Sequence, residues 1–155
     1  WCLEGLPPVK VVKQHQVGRW PGLWENDVLA RGFEGLVFKR LADPFGATWG
    51  RMKRVWSVDY VCMGCNEGGG RYTGVAASSL QGGLWIEGQL QHVANIGGMS
   101  DEMRYAVYAK PEQYVGRVFE AKGKGLFESG GLRHPNFVKW RKDKQPEDCI
   151  RPEVA

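Results

Sequence analysis

The sequence predicts an α+β chain in two parts, and three observations predict it. Glycine fills 22 of 155 positions, about twice its usual share, which argues against a helical bundle or a coiled coil. From Val55 onward, short β-rich runs are separated by glycine-containing turns, the spacing of a small closed sheet. Before that point helical and strand-like runs alternate, as at the end of a mixed α/β domain. The division falls near Arg54, giving residues 1–54 and 55–155. Apolar residues make up 43% of the chain, enough to bury a core and to exclude general disorder. Lys and Arg outnumber Asp and Glu by 21 to 17, a formal charge of +4, which is compatible with a nucleic-acid partner. No apolar run approaches the ~18 residues of a helical membrane span. The chain opens at Trp1 with no basic segment leading into an apolar one, so no secretory signal is visible. The start is read as a cut within a longer, intracellular protein.

Val9, Val11 and Val12 follow Pro7-Pro8 as a short β-rich run. After Pro21-Gly22, the residues Leu23, Trp24, Val28 and Leu29 fall on one helical face, with Gly32 as the stop. Gly35-Leu36-Val37-Phe38 reads as a buried strand with Glu34 and Lys39 at its ends, and Asp43-Pro44-Phe45-Gly46 as a loop. Arg51-Met52-Lys53 alternates basic and apolar, as a strand with one polar face does. In the second part, Val55–Met63, Val75–Leu80, Leu84–Ile86 and Leu90–Ile96 are strands, split by the turn at residues 66–70, by Gly82-Gly83 and by Gly88. Ser100 is an N-cap, Asp101 and Glu102 suit the first turn of a helix, and Pro111 limits it. Val115–Ala121 is a further strand, and Leu126–Phe137 leads into a basic tail. One helix between the third and fourth strands of a small barrel is the oligonucleotide/oligosaccharide-binding (OB) layout.

Four cysteines occur, Cys2, Cys62, Cys65 and Cys149. Cys62-Met63-Gly64-Cys65 has metal or redox spacing, yet it lacks a nearby second pair, and a strand with one Cys buried as a small apolar residue is the better reading. So few cysteines suit a reducing compartment.

Three clusters place charge where a solvated loop has no need of it. Glu34 to Lys39 sets a carboxylate and an ammonium at the two ends of one strand, and Gly35 would let a ligand approach the backbone. Arg51 and Lys53 are two apart, so on a strand they point the same way. Neighbouring cations want an anion between them, and a phosphate fits, gripped by Arg as a fork and by Lys as a point charge. An exposed edge strand with basic gatekeepers explains them equally well. Arg133 to Glu147 interleaves basic residues with Phe137 and Trp140, a mixture suited to phosphate and base contacts.

In order and spacing, these clusters resemble the ATP-dependent DNA ligases, within the covalent nucleotidyltransferases that also include RNA ligases and mRNA-capping enzymes. Glu34–Lys39 (EGLVFK) resembles that family's fourth motif, Trp49–Lys53 (WGRMK) its fifth, and Arg133–Pro146 (RHPNFVKWRKDKQP) its sixth. The resemblance implies the C-terminal part of an adenylation domain in residues 1–54 and an OB-fold β-barrel in residues 55–155. It implies nick sealing in duplex DNA by way of AMP-lysine and AMP-DNA, with ATP and Mg²⁺ as cofactors, nicked double-stranded DNA as partner, and a monomer. Carried over, Glu34 would hold the metal and Lys39 would support the nucleotide pocket. Arg51 and Lys53 would neutralise the α-phosphate. Arg141, Asp143 and Lys144 would orient the pyrophosphate, and Arg133, Lys139 and Lys142 would face DNA. A hinge near Arg54–Ser57 would let the two parts move.

Two departures accompany the resemblance. Arg51 stands where the family usually has Lys, and the nucleophile motif Lys-x-Asp-Gly is absent from these residues. That lysine is expected before Trp1. A non-catalytic DNA-binding OB module and an RNA ligase or capping enzyme are the alternatives. A bare OB module has no use for the Glu34 cluster, and the WRKDKQPE ending suits a DNA ligase better than a capping enzyme.

Overall fold

A computed structural model of the chain describes residues 14–40, 42, 44 and 49–152. The valine run at 9–12, Cys2 and the loop residues Asp43, Phe45 and Gly46 lie outside them. The chain divides into two compact units, Trp1–Arg54 and Val55–Ala155. No helix among the described residues is long and apolar enough to cross a membrane.

In the first unit a 3₁₀ turn over Val17–Arg19 enters helix α1 (Trp20–Leu23). Pro21 sits in its first turn, where the missing N–H costs nothing. The helix then widens into a π turn over Trp24–Leu29, and the Ala30 N–H donates to the Glu25 carbonyl at 3.0 Å. The five-residue spacing of that turn takes Leu29 off the expected apolar face. Val28 is fully buried, whereas Leu29 is exposed. Gly32 follows with φ +70 and supplies the expected stop. Strands β1 (Gly35–Phe38) and β2 (Gly50–Lys53) then pair antiparallel, Gly35 opposite Lys53 and Phe38 opposite Gly50.

The second unit is one five-stranded sheet with a helix. Its strands are β3 (Trp56–Glu67), β4 (Ala77–Ile86), β5 (Gln89–Ile96), β6 (Val118–Gly123) and β7 (Asn136–Arg141), in the order β5-β4-β3-β6-β7, all pairs antiparallel. Helix α2 (Asp101–Ala109) lies between β5 and β6 in sequence, and the Met103 N–H donates to the Ser100 hydroxyl at 3.3 Å as the N-cap reading requires. A two-residue turn with positive φ at Glu87 and Gly88 joins β4 to β5.

This is the OB arrangement of strands and helix, with one correction. The expected closed barrel is an open sheet. Among the described residues its edges are joined by one parallel bridge, from Gly97 just past β5 to Asn136 of β7, where the Phe137 N–H donates to the Gly97 carbonyl at 2.8 Å. The chain leaves β5 at Gly97-Gly98, Gly98 taking φ +78 on the way into α2, so no ladder extends from that first contact.

The core of this unit gathers Val58, Tyr60, Val61, Leu80, Leu84, Ile96, Val107, Val118, Phe119 and Ala121 from β3, β4, β5, β6 and α2. Phe137 and Trp140 of β7 pack against it from outside. Cys62 and Cys149 belong to the core, and Cys62, Cys65 and Cys149 are all free thiols. Burial raises Cys62 and Cys149 to about 11, so both are neutral small apolar groups.

The glycine pair expected to break a strand does not break it. β4 runs through Gly82-Gly83 because other side chains occupy the space a Cβ would need. A Cβ on Gly82 would stand 2.5 Å from Ile96 Cδ1 and 3.1 Å from the Tyr60 ring, and one on Gly83 2.6 Å from Met63 Sδ. The β4–β5 register shifts between these two residues. Gly82→Ala is therefore expected to overpack the core and lower unfolding stability by about 1–3 kcal/mol, read from urea denaturation.

Candidate functional site

Each unit carries one charged constellation. In the first, Glu34 immediately precedes β1 and Lys53 closes β2, and antiparallel register brings them together. Lys53 Nζ donates to Glu34 Oε1 at 2.5 Å, and the Arg54 N–H donates to the Glu34 carbonyl at 3.1 Å. Arg51, opposite Val37, shares Lys53's face of the short strand. Glu34, Arg51 and Lys53, with Gly35, Val37 and Trp49, line a shallow cleft of about 280 Å³. Among the described residues Glu34 is its only acidic lining residue. The cleft thus holds two cations from one strand and one carboxylate from its neighbour. Because the Glu34 carboxylate is 72% exposed, the pair with Lys53 holds its geometry weakly and yields readily to a stronger anion.

Lys39 stacks its ammonium over the Trp49 ring at 3.9 Å, so it buttresses the cleft wall through a cation–π contact. Gly35 serves a different purpose from the one its sequence context suggests. What comes close to its backbone is β2: a Cβ there would sit 2.1 Å from the Met52 carbonyl oxygen and 2.8 Å from Lys53 Cα.

In the second unit, alternation along β3 turns Val58 and Tyr60 into the core and Ser57 and Asp59 to the other face. Asp59 stands opposite Glu120 of β6, and Glu120 opposite Lys139 of β7. Two carboxylates face to face are unfavourable unless cations surround them, and here cations do. Arg141 Nη1 donates to both Asp59 oxygens at 3.1 and 3.3 Å, and Lys144 Nζ lies 2.7 Å from Asp59 Oδ2. Lys122 and Lys139 reach Glu120 at 3.6 and 3.8 Å, and the Ser57 hydroxyl donates to it at 2.7 Å. The other edge of the Arg141 guanidinium grips Asp143 as a fork, Nε to Oδ1 at 2.9 Å and Nη2 to Oδ2 at 2.7 Å. The pKa directions follow. Its bonds to Arg141 hold Asp143 below the ordinary carboxylate range. The Ser57 hydrogen bond, with Lys122 and Lys139, lowers Glu120, and Asp59 raises Lys144.

The structure therefore brings Arg141, Asp143 and Lys144 together in one network. It leaves Arg133, Lys139 and Lys142 exposed on or beside β7. It corrects the role read for the aromatics of this cluster. Phe137 and Trp140 pack on each other at 5.5 Å and on Phe119 at 5.9 and 5.7 Å, and Trp140 carries Arg117 over its ring at 4.7 Å. They anchor β7 to the core and offer no open stacking platform. Asp59 and Glu120 are the residues sequence reading passed over. The signal was present in the polar alternation Ser57, Asp59 against apolar Val58, Tyr60.

No family model matches the chain. Among curated proteins, a probable DNA ligase of Anaeromyxobacter sp. (strain Fw109-5) is 30% identical over 147 residues, covering 78% of this chain and 28% of that protein. A probable DNA ligase of Anaeromyxobacter dehalogenans (strain 2CP-1) is 29% identical over 182 residues, covering 96% of this chain and 34% of the relative. The chain thus spans about three tenths of the length of the curated relatives it matches. Solved structures share its fold, two among them being DNA ligases. The ligase domain from M. tuberculosis LigD aligns with a TM-score of 0.54 and 22% identity over 80% of this chain and 49% of that one. A structure from work on Lig E DNA ligases aligns with a TM-score of 0.63 and 19% identity over 84% of this chain and 48% of that one.

Two outcomes test the geometry. Gly35→Ala pushes β2 away from β1 and costs about 1–3 kcal/mol, seen as lost hydrogen-exchange protection of the β1–β2 amides. Glu120 has a folded pKa below its unfolded one. Its contribution to stability is therefore complete above the ordinary glutamate range and is lost as pH falls through the lowered folded value. Glu120→Gln is expected to flatten the acid limb of stability against pH in that window, and an unchanged limb contradicts the assignment.

Proposed function

We infer, on the premise that this chain is homologous to part of the DNA ligases, that it is the C-terminal portion of an ATP-dependent enzyme that seals nicks in duplex DNA. The observation that carries the reading is the cleft in which Glu34, Arg51 and Lys53 meet. Sequence similarity to a probable DNA ligase over 96% of the chain supports it for both units. In this reading residues 1–54 close an adenylation domain and residues 55–155 form an OB domain.

The donor set fits the groups such a reaction uses. A phosphate oxygen between Arg51 and Lys53 would relieve the repulsion of two cations on one strand face, and Arg51 in place of a lysine keeps the charge while offering a fork. The described residues hold no cluster of three or more His, Cys, Asp and Glu, so they build no all-protein cation cage. A lone carboxylate such as Glu34 suits Mg²⁺, which keeps waters and takes its remaining ligands from phosphate. Bound there, Mg²⁺ would supply charge neutralisation at the phosphates. Until the nucleotide arrives the Glu34 carboxylate keeps the Lys53 ammonium aimed into the cleft; Lys53 would then exchange it for a phosphate oxygen, freeing Glu34 for the metal. Lys39 would hold Trp49, and with it the cleft wall, in place. Arg141, Asp143 and Lys144 would serve the pyrophosphate end of the nucleotide. Arg133, Lys139 and Lys142 would meet the DNA backbone, which needs charge rather than base readout. The chemistry would also need a nucleophilic lysine, and Lys-x-Asp-Gly is absent from this sequence.

The chain incubated with α-labelled ATP and Mg²⁺ is therefore expected to form no adduct stable to denaturation and to seal no nicks. A labelled band contradicts this. Binding to nicked duplex is expected to weaken with salt at a log–log slope of about −0.9 per neutralised phosphate. Replacing Lys139 and Lys142 together by alanine should make that slope shallower by about two such increments. An unchanged slope places the DNA surface elsewhere.

A further inference from the structure

Arg141 is held on two sides by carboxylates of very different character. Toward β3, its Nη1 and the Lys144 ammonium share Asp59, whose side chain is only 14% exposed. Toward solvent, its Nε–Nη2 edge is taken by Asp143, two residues along the chain and 67% exposed. That outer edge is the fork that phosphate prefers. Asp143 thus occupies the place of an anionic ligand, and exposed ion pairs of this kind exchange readily. The inner contact is not exchangeable in the same way. Removing Asp59 would leave two part-buried cations beside each other without their shared acceptor.

We propose that Asp59 is a positioning residue, the fixed anchor that points the outer edge of Arg141 and the Lys144 ammonium at a pyrophosphate group, and that Asp143 is the exchangeable placeholder which that anion displaces from Arg141. Asp59 touches no substrate; it acts through the two cations. Its neighbours keep it in place. Val58 and Tyr60 on either side are core residues, so the Asp59 backbone cannot slide without moving the sheet, and Lys122 and Lys139 draw Glu120 away from it. The proposal rests on the ligase reading for the identity of the anion, and on the geometry alone for the opposed parts of the two aspartates.

The two substitutions Asp59→Asn and Asp143→Asn remove the same single charge beside the same arginine. Simple electrostatics predicts that both tighten anion binding. Anchor and placeholder predict opposite signs. The experiment titrates inorganic pyrophosphate, without metal, into the whole chain, following heat and the Arg141 Nε–H resonance, with thermal unfolding recorded for each variant. Asp143→Asn is expected to tighten binding and Asp59→Asn to weaken it by about tenfold, the worth of one charge-assisted hydrogen bond. The Arg141 resonance of Asp59→Asn should lose its distinct position while the methyl resonances of Leu80 and Ile96 keep theirs. Asp59→Glu, which keeps the carboxylate, should recover part of the affinity and covers the case in which the asparagine variant unfolds. Tightening by both asparagine variants, no effect of Asp59→Asn, or a wild-type Arg141 resonance that pyrophosphate does not move each overturns the proposal. The ligase reading stands or falls separately, on binding of the unaltered chain to nicked duplex.

Discussion

The second unit depends on the two-residue period of β3. This strand lies at the centre of the sheet, with β4 on one side and β6 on the other. Its inward residues Val58 and Tyr60 are held by the core, and Tyr60 is further tied by its hydroxyl to the Gly130 carbonyl at 2.8 Å. Once those are inside, Asp59 has no choice of face. A slip of one residue would put a carboxylate in the core and a tyrosine outside, at a cost no surface pair could offset. Everything charged on that face follows from this. Glu120 comes opposite Asp59 by the β3–β6 register, Lys139 comes opposite Glu120 by the β6–β7 register, and Arg141 and Lys144 close over Asp59. The aromatic residues of β7 complete the constraint. By packing on Phe119 they fix the strand that carries Arg141, so the placement of that guanidinium is enforced by apolar burial on the opposite side of the same strand.

The first unit solves a similar problem with less material. Two four-residue strands cannot bury much, and Val37 and Phe33 remain exposed. What sets the cleft is the close meeting of β1 and β2 at Gly35, where the absence of a side chain lets the Met52 carbonyl come within van der Waals reach. That contact holds Lys53 beside Glu34, and strand alternation then brings Arg51 to the same face. A glycine, rather than a charged residue, decides whether the charges meet.

Much of this was legible in the sequence, and the failures have physical causes. Alternation predicted β2, and short β-rich runs between turn signals predicted β1, β5 and β6 to within a few residues, although β1 is not the buried strand expected, since Val37 is exposed; the Ser100 cap predicted α2 because its oxygen satisfies an otherwise unpaired N–H. The break expected at Gly82-Gly83 failed because glycine there answers to three-dimensional crowding by Ile96, Tyr60 and Met63, which no local pattern reveals. Closure of the barrel failed for a related reason: strand count and order follow from spacing, whereas the extent of the β5–β7 contact depends on how the chain leaves at Gly97. The charged motifs were visible as clusters, but their partners were not. Asp59 is about eighty positions from Arg141, and only the sheet register brings the two together.

The proposed ligase chemistry depends on the cleft of Glu34, Arg51 and Lys53 holding phosphate. The most direct measurement is sealing of a nicked duplex by the protein that joins this chain to a Lys-x-Asp-Gly segment, comparing the unaltered protein with Lys53→Ala. The account predicts that the alanine variant binds the nicked duplex but seals it slower by at least about a hundredfold, the usual weight of a preorganised charge at a reacting phosphate. Sealing at the unaltered rate would contradict it.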